Sequence, residues 1–116
     1  MKATVMNEKS SVEKRIATSA DAFERMRAGA FFVDVRDPDE FAEAHVRGST
    51  NIPLADVETR VAEFPRDRDV LLFCRSGRRS GLAQETLVDR FGYIDVSNVE
   101  GGILAWEKAG LPIEKA

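Results

Sequence analysis

Two short apolar runs frame the chain, Phe31-Phe32-Val33-Asp34-Val35 and Asp69-Val70-Leu71-Leu72-Phe73-Cys74. Both are rich in β-formers and lack the strict polar alternation of a half-exposed strand, so both read as strands buried on two faces of a parallel sheet. Shorter strands are expected at Arg15 to Thr18, Ser49 to Ile52 and Ile94 to Ser97. Helical patterns separate them. Ser19 stands at an N-cap position, Ala22, Phe23, Met26 and Ala30 follow at helical spacing, and Gly29 supplies the stop. Asp37, Pro38 and Glu40 form a helix start, with Asp37 as cap and Glu40 three residues on. Further helices are expected over Leu54 to Glu63 and Arg78 to Arg90, and a last one after Gly101-Gly102 contains Trp106. Strands alternating with helices predict an α/β domain with a mainly parallel sheet and helices on both faces. Residues 1–14 are polar and lack a sustained period, so a flexible tail is expected there and the domain over 15–116.

Composition narrows the chemistry. A chain of 116 residues with 43% hydrophobic content builds one core, which implies one active site. The net charge of -3 argues against general binding to nucleic acid or to an anionic membrane, so any anion site must be a local basic pocket. One cysteine cannot form an internal disulfide, and with one histidine it is too small a ligand set for structural zinc. No metal or cofactor is therefore expected. No run approaches the roughly 18 to 20 apolar residues of a membrane helix, and the start, MKATVMNEKSSVEKR, does not resemble a signal peptide. A cytoplasmic location is expected; a leader removed before residue 1 would change the compartment and leave the chemistry alone.

Cys74 closes the second buried run and is followed at once by Arg75-Ser76-Gly77-Arg78-Arg79-Ser80 and a helix. The C-terminal edge of a parallel sheet is where ligands bind. A glycine-assisted turn into a helix points successive backbone N–H groups inward and makes a nest for an anion. Those donors, the helix dipole and the nearby guanidinium groups all favour a thiolate over the free thiol, whose pKa is about 8.5. Three arginines within five residues of the cysteine, in a chain that is acidic overall, point to an anionic substrate. The plain alternative is a buried, inert cysteine beside a solvated helix start.

Four ordered segments resemble the rhodanese family across residues 15–113. They are Val33-Asp34-Val35-Arg36 with Asp39-Glu40-Phe41; His45-Val46-Arg47-Gly48-Ser49 with Asn51-Ile52-Pro53; the Cys74 to Ser80 loop; and Gly101 to Trp106 through Gly110-Leu111-Pro112. The resemblance implies a five-stranded sheet flanked by helices and a cysteine that cycles between thiolate and persulfide. Cys74 would be the nucleophile, and Arg75, Ser76, Gly77, Arg78 and Arg79 the substrate-binding loop, with Arg79 an anion or loop-stabilising contact. Asp34 and Arg36 would support that loop through polar contacts, with a direct substrate contact by Arg36 as the alternative, and Ser80 would hold a supporting place as well. The donor would be a small anion such as thiosulfate. With no second cysteine in the chain, the acceptor would be external: cyanide, a small thiol or a thiol protein.

His45 is read as a hydrogen-bonded loop residue, because a thiolate held by the loop needs no general base. Trp106, Phe31, Phe32 and Phe91 are read as core, and Asp39 and Glu40 as first-turn helix charges. Two competing functions stay open. One is a non-catalytic rhodanese-like module that binds a partner or senses persulfide. The other is a cysteine-dependent phosphatase or arsenate reductase, whose loops resemble Cys-x5-Arg; the sixth position after Cys74 is Ser80, and the arginine falls at the fifth.

Overall fold

The computed structural model describes residues 14–116, so the expected tail lies, apart from Lys14, outside the described residues. In chain order the elements are β1 (Arg15–Ala17), α1 (Ser19–Arg27), β2 (Phe31–Asp34), α2 (Pro38–Glu43), β3 (Ala44–His45), β4 (Thr50–Asn51), β5 (Val70–Phe73), α3 (Arg78–Glu85), β6 (Val96–Val99), α4 (Gly102–Lys108) and β7 (Glu114–Lys115). Five strands form one parallel sheet in the order β1-β6-β5-β2-β4, which puts β5 at its centre. A separate antiparallel pair, β3 with β7, was not anticipated from the residue pattern.

Strand alternation sorts the core into two layers. Val70, Leu72 and Cys74 pack on one face with Ala83 of α3 and Leu87. Leu71 and Phe73 pack on the other with Ala22 of α1 and Ile103 and Trp106 of α4. Helices therefore cover both faces. Burying each such side chain is worth about 1.5–3 kcal/mol, and a one-residue slip of β5 would exchange its two faces. The same apolar set that stabilises the sheet thus fixes the side to which Cys74 points.

Several expected boundaries move, each for a local reason. The cap of α1 is Thr18, whose Oγ1 accepts from the Asp21 N–H at 3.1 Å, while Ser19 begins the helix. The helix expected over Leu54 to Glu63 is two short 3-10 turns, Leu54–Asp56 and Val61–Glu63. Its end is tied into the core by the Tyr93 hydroxyl, which lies 2.6 Å from the Phe64 carbonyl. The helix expected to Arg90 is α-helical to Glu85 and continues in wider π turns over Thr86–Arg90, whose end is closed by the Gly92 and Tyr93 N–H groups on the Val88 and Leu87 carbonyls. β6 begins two residues later than expected, because Tyr93 is the buried residue before it and Ile94 is 72% exposed. At α2, Asp37 is the cap as expected, and Glu40 Oε1 accepts its N–H at 3.0 Å.

Candidate active site

Cys74 leaves the C-terminal end of the central strand and is buried, facing α3. The chain then turns through Gly77, whose φ of 101° lies in the left-handed region and whose residue caps α3. This turn aims the Gly77 N–H at Cys74 Sγ, 3.0 Å away, and brings the Ser80 hydroxyl to 3.3 Å. Burial pushes the Cys74 thiol up. The Ser80 hydroxyl and the N–H groups of Ser80, Gly77 and Ser76 pull it down and win together, so the thiol lies below its ordinary value. Among the described residues no guanidinium hydrogen-bonds the sulfur. Of the expected sources of stabilisation, the neutral donors of the loop are the chief one.

The loop is clamped from three sides. At the start of α4, Ile103 N donates to the Cys74 carbonyl at 2.8 Å and Leu104 N to the Arg75 carbonyl at 3.2 Å. Gly102 makes that approach possible, since a Cβ on it would lie 2.3 Å from the Cys74 oxygen. From α2, Glu40 binds Arg79 through contacts of 2.8 and 3.1 Å. From β6, Asn98 Nδ2 donates to the Gly77 carbonyl at 2.9 Å, and Asn98 Oδ1 lies 2.6 Å from Ser80 Oγ.

These contacts redistribute the roles expected from the sequence. Arg79 is a loop-stabilising residue whose guanidinium is already paired with Glu40. That pair holds the Glu40 carboxyl at about 2 and raises Arg79 further above its ordinary range. Arg75, Ser76 and Arg78 are exposed, and neither Arg75 nor Arg78 is ion-paired among the described residues. Asp34 and Arg36 do not give the loop the polar support expected of them. Arg36 forks onto Asp34 at 2.7 and 3.0 Å and reaches the Ala44 carbonyl at 2.6 Å; none of these bonds touches residues 74–80. The reason is parity. Asp34 is registered with Phe73, so its side chain shares the face of Phe73 and turns away from that of Cys74. Glu40 and Asn98 do the work expected of the pair.

His45 lies apart from the loop's hydrogen bonds. Its Nδ1 is 2.7 Å from the Phe41 carbonyl, its ring stacks on Phe41 at 3.9 Å, and its Nε2 is 3.3 Å from Glu114. Trp106 is fully buried and donates to the Pro112 carbonyl at 2.8 Å. Among the described residues no group of His, Cys, Asp and Glu is arranged to hold a metal ion, and no helix is long and apolar enough to cross a membrane.

A strand-end cysteine with inward N–H donors and a helix on each side of the sheet fits a known family. The family model for the rhodanese-like domain matches residues 18–109. The chain belongs to that family. It is similar to a sulfurtransferase of Allochromatium vinosum, 38% identical over 103 residues that cover 89% of this chain and 88% of that protein. It is also similar to the thiosulfate sulfurtransferase PspE of Escherichia coli, 40% identical over 76 residues, 64% of this chain and 72% of the relative. Among solved structures, a rhodanese-related protein from Thermoplasma volcanium superposes with a TM-score of 0.77 at 30% identity, covering 86% of this chain and 97% of the other. A sulfurtransferase role is the general reading these relatives support for this rhodanese-like domain. Asn98 and the Glu40 to Arg79 pairing escaped the sequence reading. The signal for Asn98 is its register with Leu72, two residues before Cys74.

Proposed function

We propose that this rhodanese-like domain transfers a sulfane sulfur from a small anion such as thiosulfate to an external acceptor, through a persulfide on Cys74. The observation that carries the reading is the setting of the sulfur: donors from Gly77 and Ser80 close on it, while Arg75 on the loop and Arg78 at the start of α3 stand exposed and, among the described residues, without an ion-pair partner.

In the first half-reaction the Cys74 thiolate attacks the outer sulfur of thiosulfate. A new S–S bond forms, the old one breaks, and sulfite leaves with its electron pair. The terminal persulfide sulfur carries the negative charge and takes N–H donors from the loop. In the second, an acceptor nucleophile bonds to that outer sulfur and the Cys74 thiolate leaves. Cyanide would depart as thiocyanate and a thiolate as a persulfide. The chain has no other cysteine to take the sulfur internally.

Phosphatase chemistry is the weaker reading, since the loop arginine that would hold a phosphate, Arg79, is gripped by Glu40. Steady-state rates with thiosulfate and cyanide test the proposal. Parallel double-reciprocal lines and total loss of turnover in Cys74→Ser are expected. Turnover that survives Cys74→Ser, or hydrolysis of an aryl phosphate in place of sulfur transfer, would overturn it; inactivity of folded wild type with every donor would favour a binding module.

A further inference from the structure

Asn98 stands beside both side-chain and backbone donors of the Cys74 sulfur. It is registered with Leu72, so strand alternation turns it to the face that Leu72 and Cys74 share. Its Nδ2 donates to the Gly77 carbonyl at 2.9 Å, which leaves Oδ1 facing Ser80 Oγ at 2.6 Å. Ser80 is fully buried, and the same Oγ is 3.3 Å from Sγ. A hydroxyl has one proton, and a carboxamide oxygen has none to give. That proton cannot serve Asn98 and sulfur together.

The two charge states of the cysteine therefore require two arrangements. With a thiol, S–H donates to Ser80 Oγ and the Ser80 hydroxyl donates to Asn98 Oδ1, so every group is satisfied. With a thiolate, the charged sulfur is the stronger acceptor, so the hydroxyl turns to it beside the backbone N–H donors and Oδ1 loses its donor. Ionisation of Cys74 thus costs one hydrogen bond at Asn98.

We propose that Asn98 is a positioning residue which, by competing for the Ser80 proton, holds the Cys74 thiol back from premature ionisation. The benefit is chemical: a thiolate made too acidic is a poor nucleophile, and the best attacking thiol titrates near the ambient pH. When the persulfide is consumed and the S–S electron pair returns to Sγ, the Ser80 proton swings from Asn98 to the sulfur and steadies the leaving thiolate.

The charged groups on the surrounding elements are Arg75, Arg78, Arg79 and Glu85 on the loop and α3, Asp37, Asp39, Glu40 and Glu43 at and on α2, the Asp34 and Arg36 pair on and after β2, exposed Glu100 after β6, and Glu107 and Lys108 on α4. Substitution of Asn98 leaves all of them in place but also removes its bond to the Gly77 carbonyl, so the part of a changed thiol titration that depends on Ser80 is what reports on the hydroxyl. The inference rests on Cys74 as the sulfur carrier, yet its readout is the ionisation of the thiol, which is measured without any sulfur donor.

The experiment is a pH titration of thiolate absorbance and iodoacetamide alkylation in wild type, Asn98→Ala, Ser80→Ala and the double variant. Loss of one competing hydrogen bond predicts that Asn98→Ala lowers the midpoint by roughly one pH unit. In the Ser80→Ala background the same substitution is expected to produce no drop. In wild type, the side-chain amide resonances of Asn98 should move with the thiol midpoint, a measurement that needs no variant to fold. A midpoint unchanged or raised in Asn98→Ala, a drop that persists without Ser80, or amide resonances indifferent to the thiol would each overturn the proposal.

Discussion

Glu40 Oε1 is shared by two donors on different elements, Arg79 Nη1 at 2.8 Å and the Asp37 N–H at 3.0 Å, so one carboxylate caps α2 and restrains the cysteine loop together. Its pKa is lowered from 4.5 to about 2, with the Arg79 hydrogen bond as the largest cause. A carboxyl depressed in the folded state contributes stability that is complete above the unfolded value and is lost as pH falls through the folded one. Resistance to urea should therefore fall between about pH 4.5 and 2, and Glu40→Gln should flatten that part of the profile. After allowance for solvent screening the pair is worth about 1 kcal/mol.

Gly102, with a φ of 57°, joins the fold to the site by close backbone contact. An added Cβ would meet the Cys74 oxygen at 2.3 Å and the Arg75 carbonyl carbon at 2.5 Å, and both are backbone atoms. Gly102→Ala should lose about 2–4 kcal/mol of stability in denaturant unfolding and most sulfur transfer. Gly81→Ala is the contrast: its Cβ would come no nearer than 3.4 Å to Asn98 Nδ2, and Gly81 lies inside α3. That variant should be neutral or stabilised by up to about 1 kcal/mol.

Much of this site was legible in the sequence, and the parts that were not have physical reasons. The apolar run ending at Cys74 and the glycine turn after it place the cysteine at a strand end by local chemistry alone. Partners distant in sequence were harder. Glu40 reads as a helix-start charge and does cap α2, but its hold on Arg79, 39 positions away, depends on how α2 packs beside the loop. Asn98 was expected just beyond a strand ending at Ser97; β6 runs over Val96–Val99, and that shift brings Asn98 into register with Leu72. Asp34 and Arg36 were placed correctly at the neighbouring strand end, but their contacts followed from parity that only the register with Phe73 fixes.

Arg75 and Arg78 are exposed and, among the described residues, not ion-paired, whereas Arg79 is committed to Glu40. Initial-rate kinetics should separate them. Arg75→Ala and Arg78→Ala should each raise KM for thiosulfate about tenfold, the scale of one charge-assisted contact, with the effect shrinking as salt is added. Arg79→Ala should lower kcat and thermal stability, with a smaller change in KM.

His45 bonds to the Phe41 carbonyl and faces Glu114 across the β3 and β7 pair. His45→Gln should keep kcat/KM within about twofold and leave the shape of its pH profile unchanged, while costing about 1 kcal/mol in unfolding. Loss of one limb of that profile would instead make His45 a proton-transfer group.

Intact-protein and peptide mass spectrometry after exposure to thiosulfate tests sulfur carriage on Cys74 most directly. The predicted result is a gain of one sulfur atom, mapped to Cys74 and removed by cyanide with release of thiocyanate. An unchanged mass, an adduct elsewhere, or one that survives cyanide would contradict it.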